Sequence, residues 1–212
     1  MPLSVEYIVF AVLFVIIITL AVGYGGLKEY SITAFFLWAI GTIYTIDSLF
    51  PYGSFTPFQI FVPVTASLAA NVLSFLGYQA TLGLPSEGMP LLTAANQNGS
   101  ASFYVAWPCS GIQSLIIYTL VVLLFFRKTT ISPIARITFF MIGSVATYCV
   151  NILRIATIFV IQINQGEIAA EIFHNYYGEL YSMAWIMAYP LIIMSSYLLH
   201  SHVKHRLESK VL

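Results

Sequence analysis

The chain has 212 residues, of which 59% are hydrophobic and only 8% charged, and its mean hydropathy is +0.89. A water-soluble domain carries about 25% charged residues, and a chain this size has too little interior to hide so much apolar surface. Composition therefore excludes a soluble globular protein and makes lipid the solvent. The 8 Lys+Arg balance the 8 Asp+Glu, so no net field draws nucleic acid or other polyions.

A spanning helix needs about 20 mostly apolar residues. Residues 5–22 qualify, ended by Gly23-Tyr-Gly-Gly. The preceding Met1 to Val5 lacks a basic n-region and a small-residue cleavage site, so this stretch is expected to stay as an anchor. Residues 32–50 form the second span, closed by Pro51-Tyr-Gly. Residues 58–76 form the third and weakest, interrupted by Pro63 and Asn71. A polar insert follows at 79–106, where the alternation Ser102-Phe-Tyr-Val predicts a short hairpin outside the bilayer. Residues 112–126, 137–161 and 177–199 complete the set. The expected fold class is all-α: a polytopic transmembrane helix bundle of about six spans with a small extracytoplasmic polar insert. No repeat divides it, so 1–212 is one integral membrane domain, with its motifs within about 58–199.

Orientation follows from the positive-inside rule. Arg127, Lys128 and Arg136 share one short loop, and Lys204, Arg206 and Lys210 lie in the tail, so both face the cytoplasm. The insert and the 162–176 loop then face outside. Six full spans put the N-terminus inside and Lys28 in an outer loop. A re-entrant 58–76 segment would put the N-terminus outside instead.

Three features stand above the apolar background. In Trp107-Pro-Cys-Ser-Gly-Ile, Pro108 favours a helix start and Ser110 or Cys109 can cap it. A helix N-terminus favours the nucleophilic thiolate at Cys109; the bland alternative is a small apolar residue packed at an interface. Within the fifth span, Asn151 and Arg154 are three residues apart and share a helix face. A buried membrane arginine costs roughly 2.5–3.5 kcal/mol on the lenient scale. Snorkelling is a weak alternative, because a helix ending at Ile161 leaves Arg154 about 10 Å from the interface. The third feature is His174 in the last outer loop. Its alternative is an interfacial helix with an aromatic belt of Tyr176, Tyr177, Tyr181 and Trp185. Glu171 and His174 could share a face as a hydrogen-bonded pair or half a metal site, but no second His–carboxylate pair lies outside, so neither metal nor cofactor is expected. Cys109 and Cys149 lie far apart and form no CxxC dithiol pair. Asp47 reads as interfacial, Cys149 as packing, and His200, His202 and His205 as a basic tail.

Cys109, Arg154 and His174 come from three segments, yet topology takes all three to the outer leaflet. A thiol, a base and a fixed cation at one depth suit nucleophilic acyl transfer. At these residues the chain resembles the exosortase/archaeosortase family of membrane cysteine transpeptidases. The resemblance rests on Cys109-Ser110-Gly111-Ile112 opening a membrane helix, Asn151-x-x-Arg154-Ile155 in the next, and His174 in the following outer loop. Pro63-Val-Thr-Ala-Ser-Leu, leading through Leu76-Gly77 to the insert, is similar to the family's approach to its cysteine. Pro108 and Gln113 depart from the residues common there. The resemblance implies Cys109, Arg154 and His174 as catalytic residues, supported by Ser110, Gly111 and Asn151. It implies cleavage of a C-terminal sorting signal (a motif, a transmembrane helix and a basic tail) on secreted surface proteins. The mature protein would pass to a lipid or other cell-surface acceptor, at a cell membrane site facing outside.

Two rivals remain at this stage. A small transporter or channel would line a polar path with Asn151, Arg154 and Asp47, although no paired broken helices mark inverted repeats. A noncatalytic assembly subunit would tolerate loss of all three candidate residues.

Overall fold

The computed structural model describes residues 4–49, 59–86 and 89–208, with side chains excepted at 4–5, 47 and 198–208. The predicted break at Pro51 to Gly53, and Phe58, lie outside the described residues. So do the side chains of Asp47, His200, His202, His205, Lys204 and Arg206, and all of Lys210.

The six predicted spans correspond to six apolar helices. The first, α1 (Ser4–Glu29), is folded back at Gly23, where φ is 71°, a conformation open chiefly to glycine. Helix resumes at once: Tyr30 N–H donates to Gly26 O at 2.9 Å and Ala34 N–H to Tyr30 O at 3.0 Å. Residues 24–29 thus run on into α2 (Ser31–Leu49), and this rod packs antiparallel on residues 4–22. Tyr7 stacks on Tyr44 with ring centroids 5.0 Å apart, and Gly41 lies against Ile8. Both sides of the hairpin keep large exposed apolar residues, such as Phe10, Ile17, Leu20 and Phe35, as a lipid-facing surface requires.

Three more helices complete the membrane bundle: α4 (Ile112–Arg127), α5 (Pro133–Gln165) and α7 (Gly178–Glu208). They pack antiparallel in turn. Tyr118 OH donates to Phe140 O at 2.9 Å, Trp185 Nε1–H to Thr147 Oγ1 at 3.1 Å, and Tyr189 OH to Phe139 O at 2.6 Å. Tyr118, Val122, Ile186, Tyr189 and Ile193 form the core of this half. By length and composition, Glu6–Glu29, Pro133–Gln165 and Glu167–Tyr197 can each cross a membrane, while Ser31–Ile46, Val62–Phe75 and Ile112–Arg127 are shorter apolar helices.

At 33 residues, α5 is about 50 Å long, well beyond a hydrocarbon core of about 30 Å. Arg136 to Arg154 spans about 27 Å of it, so the part after Arg154 emerges from the bundle. Around that part wrap α3 (Val62–Phe75) and an antiparallel sheet, β1 (Gln79–Leu82), β2 (Leu91–Asn96) and β3 (Gly99–Tyr104), in the order β1-β2-β3. The predicted hairpin is therefore three-stranded. Alternation along β2 turns Leu92 and Ala94 inward, where they join Ala69, Leu73, Ile155, Phe159 and Ile163 in a second core.

The structure corrects the reading of the third span. Thr65 Oγ1 bonds Tyr148 OH at 2.8 Å, and past the helix end Tyr78 OH accepts from Asn164 Nδ2 at 3.0 Å. Hence α3 runs parallel to α5 alongside its emerging half and does not itself cross the bundle. Two helices, α1 and α2, then precede α4 across the bundle. The N-terminal end of α1 consequently lies at the sheet-bearing end, where Tyr44 is tilted against Trp107 at 6.1 Å. Of the two N-terminal arrangements expected from sequence, only the second has the N-terminus on the same side as the polar insert. The Gly23 turn lies at the other end, where Arg127 donates to Glu29 O and Lys128 Nζ lies 3.7 Å from Glu29 Oε1. Lys28 thereby joins Arg127, Lys128 and Arg136 at one end of the bundle.

Candidate active site

Residues Trp107–Ser110 form a single 3₁₀ turn between β3 and α4. Ser110 Oγ donates to Trp107 O at 2.6 Å, closing the turn on itself. Neither Ser110 nor Cys109 caps α4, contrary to expectation. Gly111 (φ 90°, ψ −5°) occupies the cap position, with no side-chain cap, because its left-handed backbone is what lets the chain leave a 3₁₀ turn and enter a helix. The turn is pinned from below. The Thr65 hydroxyl lies 3.0 Å from Ser110 O, and Asn151 Nδ2 donates to Cys109 O at 2.9 Å. Asn151 is 1% exposed and Ser110 fully buried, so the backbone on both sides of the thiol is fixed. A Cβ at Gly111 would stand 3.0 Å from Asn151 Nδ2, so glycine is needed for the close approach as well as for the dihedral.

The predicted loop 162–176 is almost entirely helical. The helix α5 continues to Gln165, Gly166 (φ 93°) bends the chain, α6 (Glu167–Ile172) follows, and one π turn, Phe173–Tyr177, leads into α7. That turn presents His174 to Cys109, with Nε2 4.0 Å from Sγ. His174 Nδ1 lies 3.2 Å from Asn175 Oδ1. The two are chain neighbours within the π turn. With Nδ1–H donating to Asn175, Nε2 is the nitrogen left to accept a proton from sulfur.

About 20 residues from Gly178 onward suffice to cross a bilayer, and His174 precedes them. Its pKa is raised above the ordinary imidazole value, first by the Cys109 partner. Burial opposes the rise, Asn175 and the charge on Cys109 add to it, and the Arg154 cation opposes it. The pairing with Glu171 that the spacing allows is not among the hydrogen bonds of His174. Among the described residues no group of three or more His, Cys, Asp or Glu could hold a metal ion.

Arg154 is placed differently. The helix continues eleven residues beyond it, about 16 Å, so the expected 10 Å to the helix end is too short: Arg154 sits where α5 leaves the bundle. Its guanidinium lies against α7 at Gly178, where a Cβ would come within 2.9 Å of Nε and 3.3 Å of Nη2. Nε is buried with no hydrogen-bond partner. Arg154 borders a small cavity of about 70 Å³ with Gln113, Ser114, Glu179 and Ser182. Cys109 and His174 border a different one, of about 310 Å³. The thiol and imidazole are thus in contact, while the guanidinium, bordering a separate cavity, bears on the imidazole through its charge.

Asn175 and Gly178 were not singled out from sequence. Their significance depends on the π turn and on the approach of α7 to α5, and neither leaves a periodic signal. Of the expected aromatic belt, Tyr176, Tyr177 and Tyr181 are exposed, whereas Trp185 turns inward to Thr147.

A family model described as Transmembrane exosortase (Exosortase_EpsH) matches residues 2–192, most of the chain. Neither the curated proteins nor the solved structures gave a match.

Proposed function

The chain belongs to the transmembrane exosortase family, and from that premise we propose that it is a cysteine transpeptidase acting on C-terminal sorting signals of secreted surface proteins. The observation that carries this reading is the 4.0 Å approach of Cys109 Sγ to His174 Nε2 at the end of the bundle that bears the sheet. Lys28, Arg127, Lys128 and Arg136 gather at the opposite end, so the positive-inside rule puts the thiol outside. A substrate whose transmembrane helix lies in the bilayer beside the bundle brings its preceding peptide to the level of Cys109.

Sulfur attacks the scissile carbonyl carbon, and the thiol proton passes to His174 Nε2. Collapse of the tetrahedral intermediate breaks the C–N bond, and the imidazolium returns the proton to the leaving amine. The thioacyl-enzyme is then resolved by a lipid or other surface acceptor, or by water. The raised pKa of His174 agrees with this assignment, because it means that the site stabilises the imidazolium beside sulfur. Arg154 supports the thiolate and the developing oxyanion by its field, which a low-dielectric surrounding strengthens. Asn151 holds the Cys109 carbonyl and so sets the direction of attack.

Replacing Cys109 by Ala, with the substrate coexpressed, is the direct test. The protein should fold and insert normally while the sorting signal stays uncleaved. Processing at near wild-type rate would refute the assignment.

A further inference from the structure

We infer that the 310 Å³ cavity beside Cys109 is the specificity pocket for the residue on the acyl side of the scissile bond, and that it selects a large apolar side chain, aromatic above all. The inference rests on the proposed role of Cys109 and deepens it.

Position decides which side of the bond the cavity serves. The leaving segment of the proposed substrate descends into the membrane, so the acyl side must rise towards the sheet. The cavity is built from that side: β3 supplies Phe103, α5 supplies Ile155, Ile158 and Phe159, and α6 supplies Ala170. The α5 residues lie one to five positions past Arg154, about 1.5–7.5 Å further from the bundle.

The walls decide what fits. Phe103 and Phe159 meet edge to face at 4.9 Å and 82°, an arrangement that a third ring can extend. A volume of about 310 Å³ is at the lower end for ligand pockets, enough for one large side chain with its backbone. A glycine there leaves the apolar walls in water. Besides Cys109, His174 and Tyr104, the ionisable groups on the lining are Glu167 and Glu171, which repel a substrate carboxylate. Both glutamates are exposed, and an ion pair from a substrate lysine to a solvated carboxylate adds little.

The test uses acetyl-Ala-X chloromethyl ketones, with X as Phe, Gly, Glu or Lys, on the full-length Cys149→Ser protein in lipid nanodiscs. Sulfur displaces chloride at the methylene, forming S–C and breaking C–Cl, while the thiol proton goes to His174. Cys109 modification is followed by mass spectrometry, and each rate is divided by the iodoacetamide rate. The expected result is a Phe rate at least tenfold above Gly and Glu and above Lys. In Ile158→Trp, which fills the cavity, the Phe:Gly ratio should fall at least fivefold. Equal rates for all four, or Lys fastest, overturn the pocket assignment while leaving the nucleophile standing. If the chloromethyl ketones modify Cys109 no faster in wild type than in His174→Gln, the transpeptidase reading fails and this inference falls with it.

Discussion

Asn151→Asp is the most searching perturbation of the nucleophile turn, because it changes one atom and almost no volume. In the native protein Asn151 Nδ2 donates to Cys109 O at 2.9 Å, and the side chain is 1% exposed. Ionised aspartate puts an acceptor opposite that carbonyl. The net bond, about 1 kcal/mol, is lost, and a desolvated carbonyl is left unpaired at about 1–3 kcal/mol. Asn151 Oδ1 already lacks a partner, so the second oxygen adds no further lost bond. The sum is about 2–4 kcal/mol before any repulsion, or roughly 4–16 °C for a chain of this size. Protonation restores an O–H donor at the same place, so the loss should shrink as pH falls. The assay is thermal unfolding of the detergent-solubilised protein at pH 8 and pH 5, wild type beside variant. A variant as stable as wild type at pH 8, or with a deficit independent of pH, would show that this contact does not hold the turn.

The remaining predictions probe other parts of the same design. Gly178→Ala should lower processing at least tenfold while thermal stability stays within about 1 kcal/mol of wild type, since alanine favours helix but its Cβ displaces the Arg154 guanidinium. Unchanged processing would mean that the placement of Arg154 is unimportant. Gly143→Ala should destabilise by about 1–3 kcal/mol in the same melting assay, because a Cβ there meets the Tyr118 hydroxyl and the Tyr189 ring. A neutral result would place those groups elsewhere. The raised pKa of His174 means that its imidazolium persists above pH 6.5. The acylation rate, which needs a neutral imidazole to take the thiol proton, should therefore rise with pH through a limb above 6.5. His174→Gln should lose this limb along with most of the rate, and a limb at or below 6.5 contradicts the pairing.

Composition and hydropathy sufficed for the membrane bundle and for the order of its apolar segments, because lipid obliges every spanning stretch to satisfy its own backbone in long runs of apolar residues. The polar insert was legible for the complementary reason: residues 79–106 could not be buried in lipid. The motif residues Cys109, Asn151, Arg154 and His174 were also visible from sequence, as polar groups at helix ends or within apolar runs.

Depth and partnership were decided only in three dimensions. A periodic apolar helix such as α3 reads alike whether it crosses the bilayer or packs parallel to the protruding half of α5. Only its contacts with Tyr148 and with the sheet tell the two apart. The pairing of His174 with Asn175, the seating of Arg154 against Gly178, and the division of guanidinium and thiol between neighbouring pockets depend on one π turn and one close helix approach. Such features are fixed by the geometry of packing, which a linear pattern of hydrophobicity does not encode.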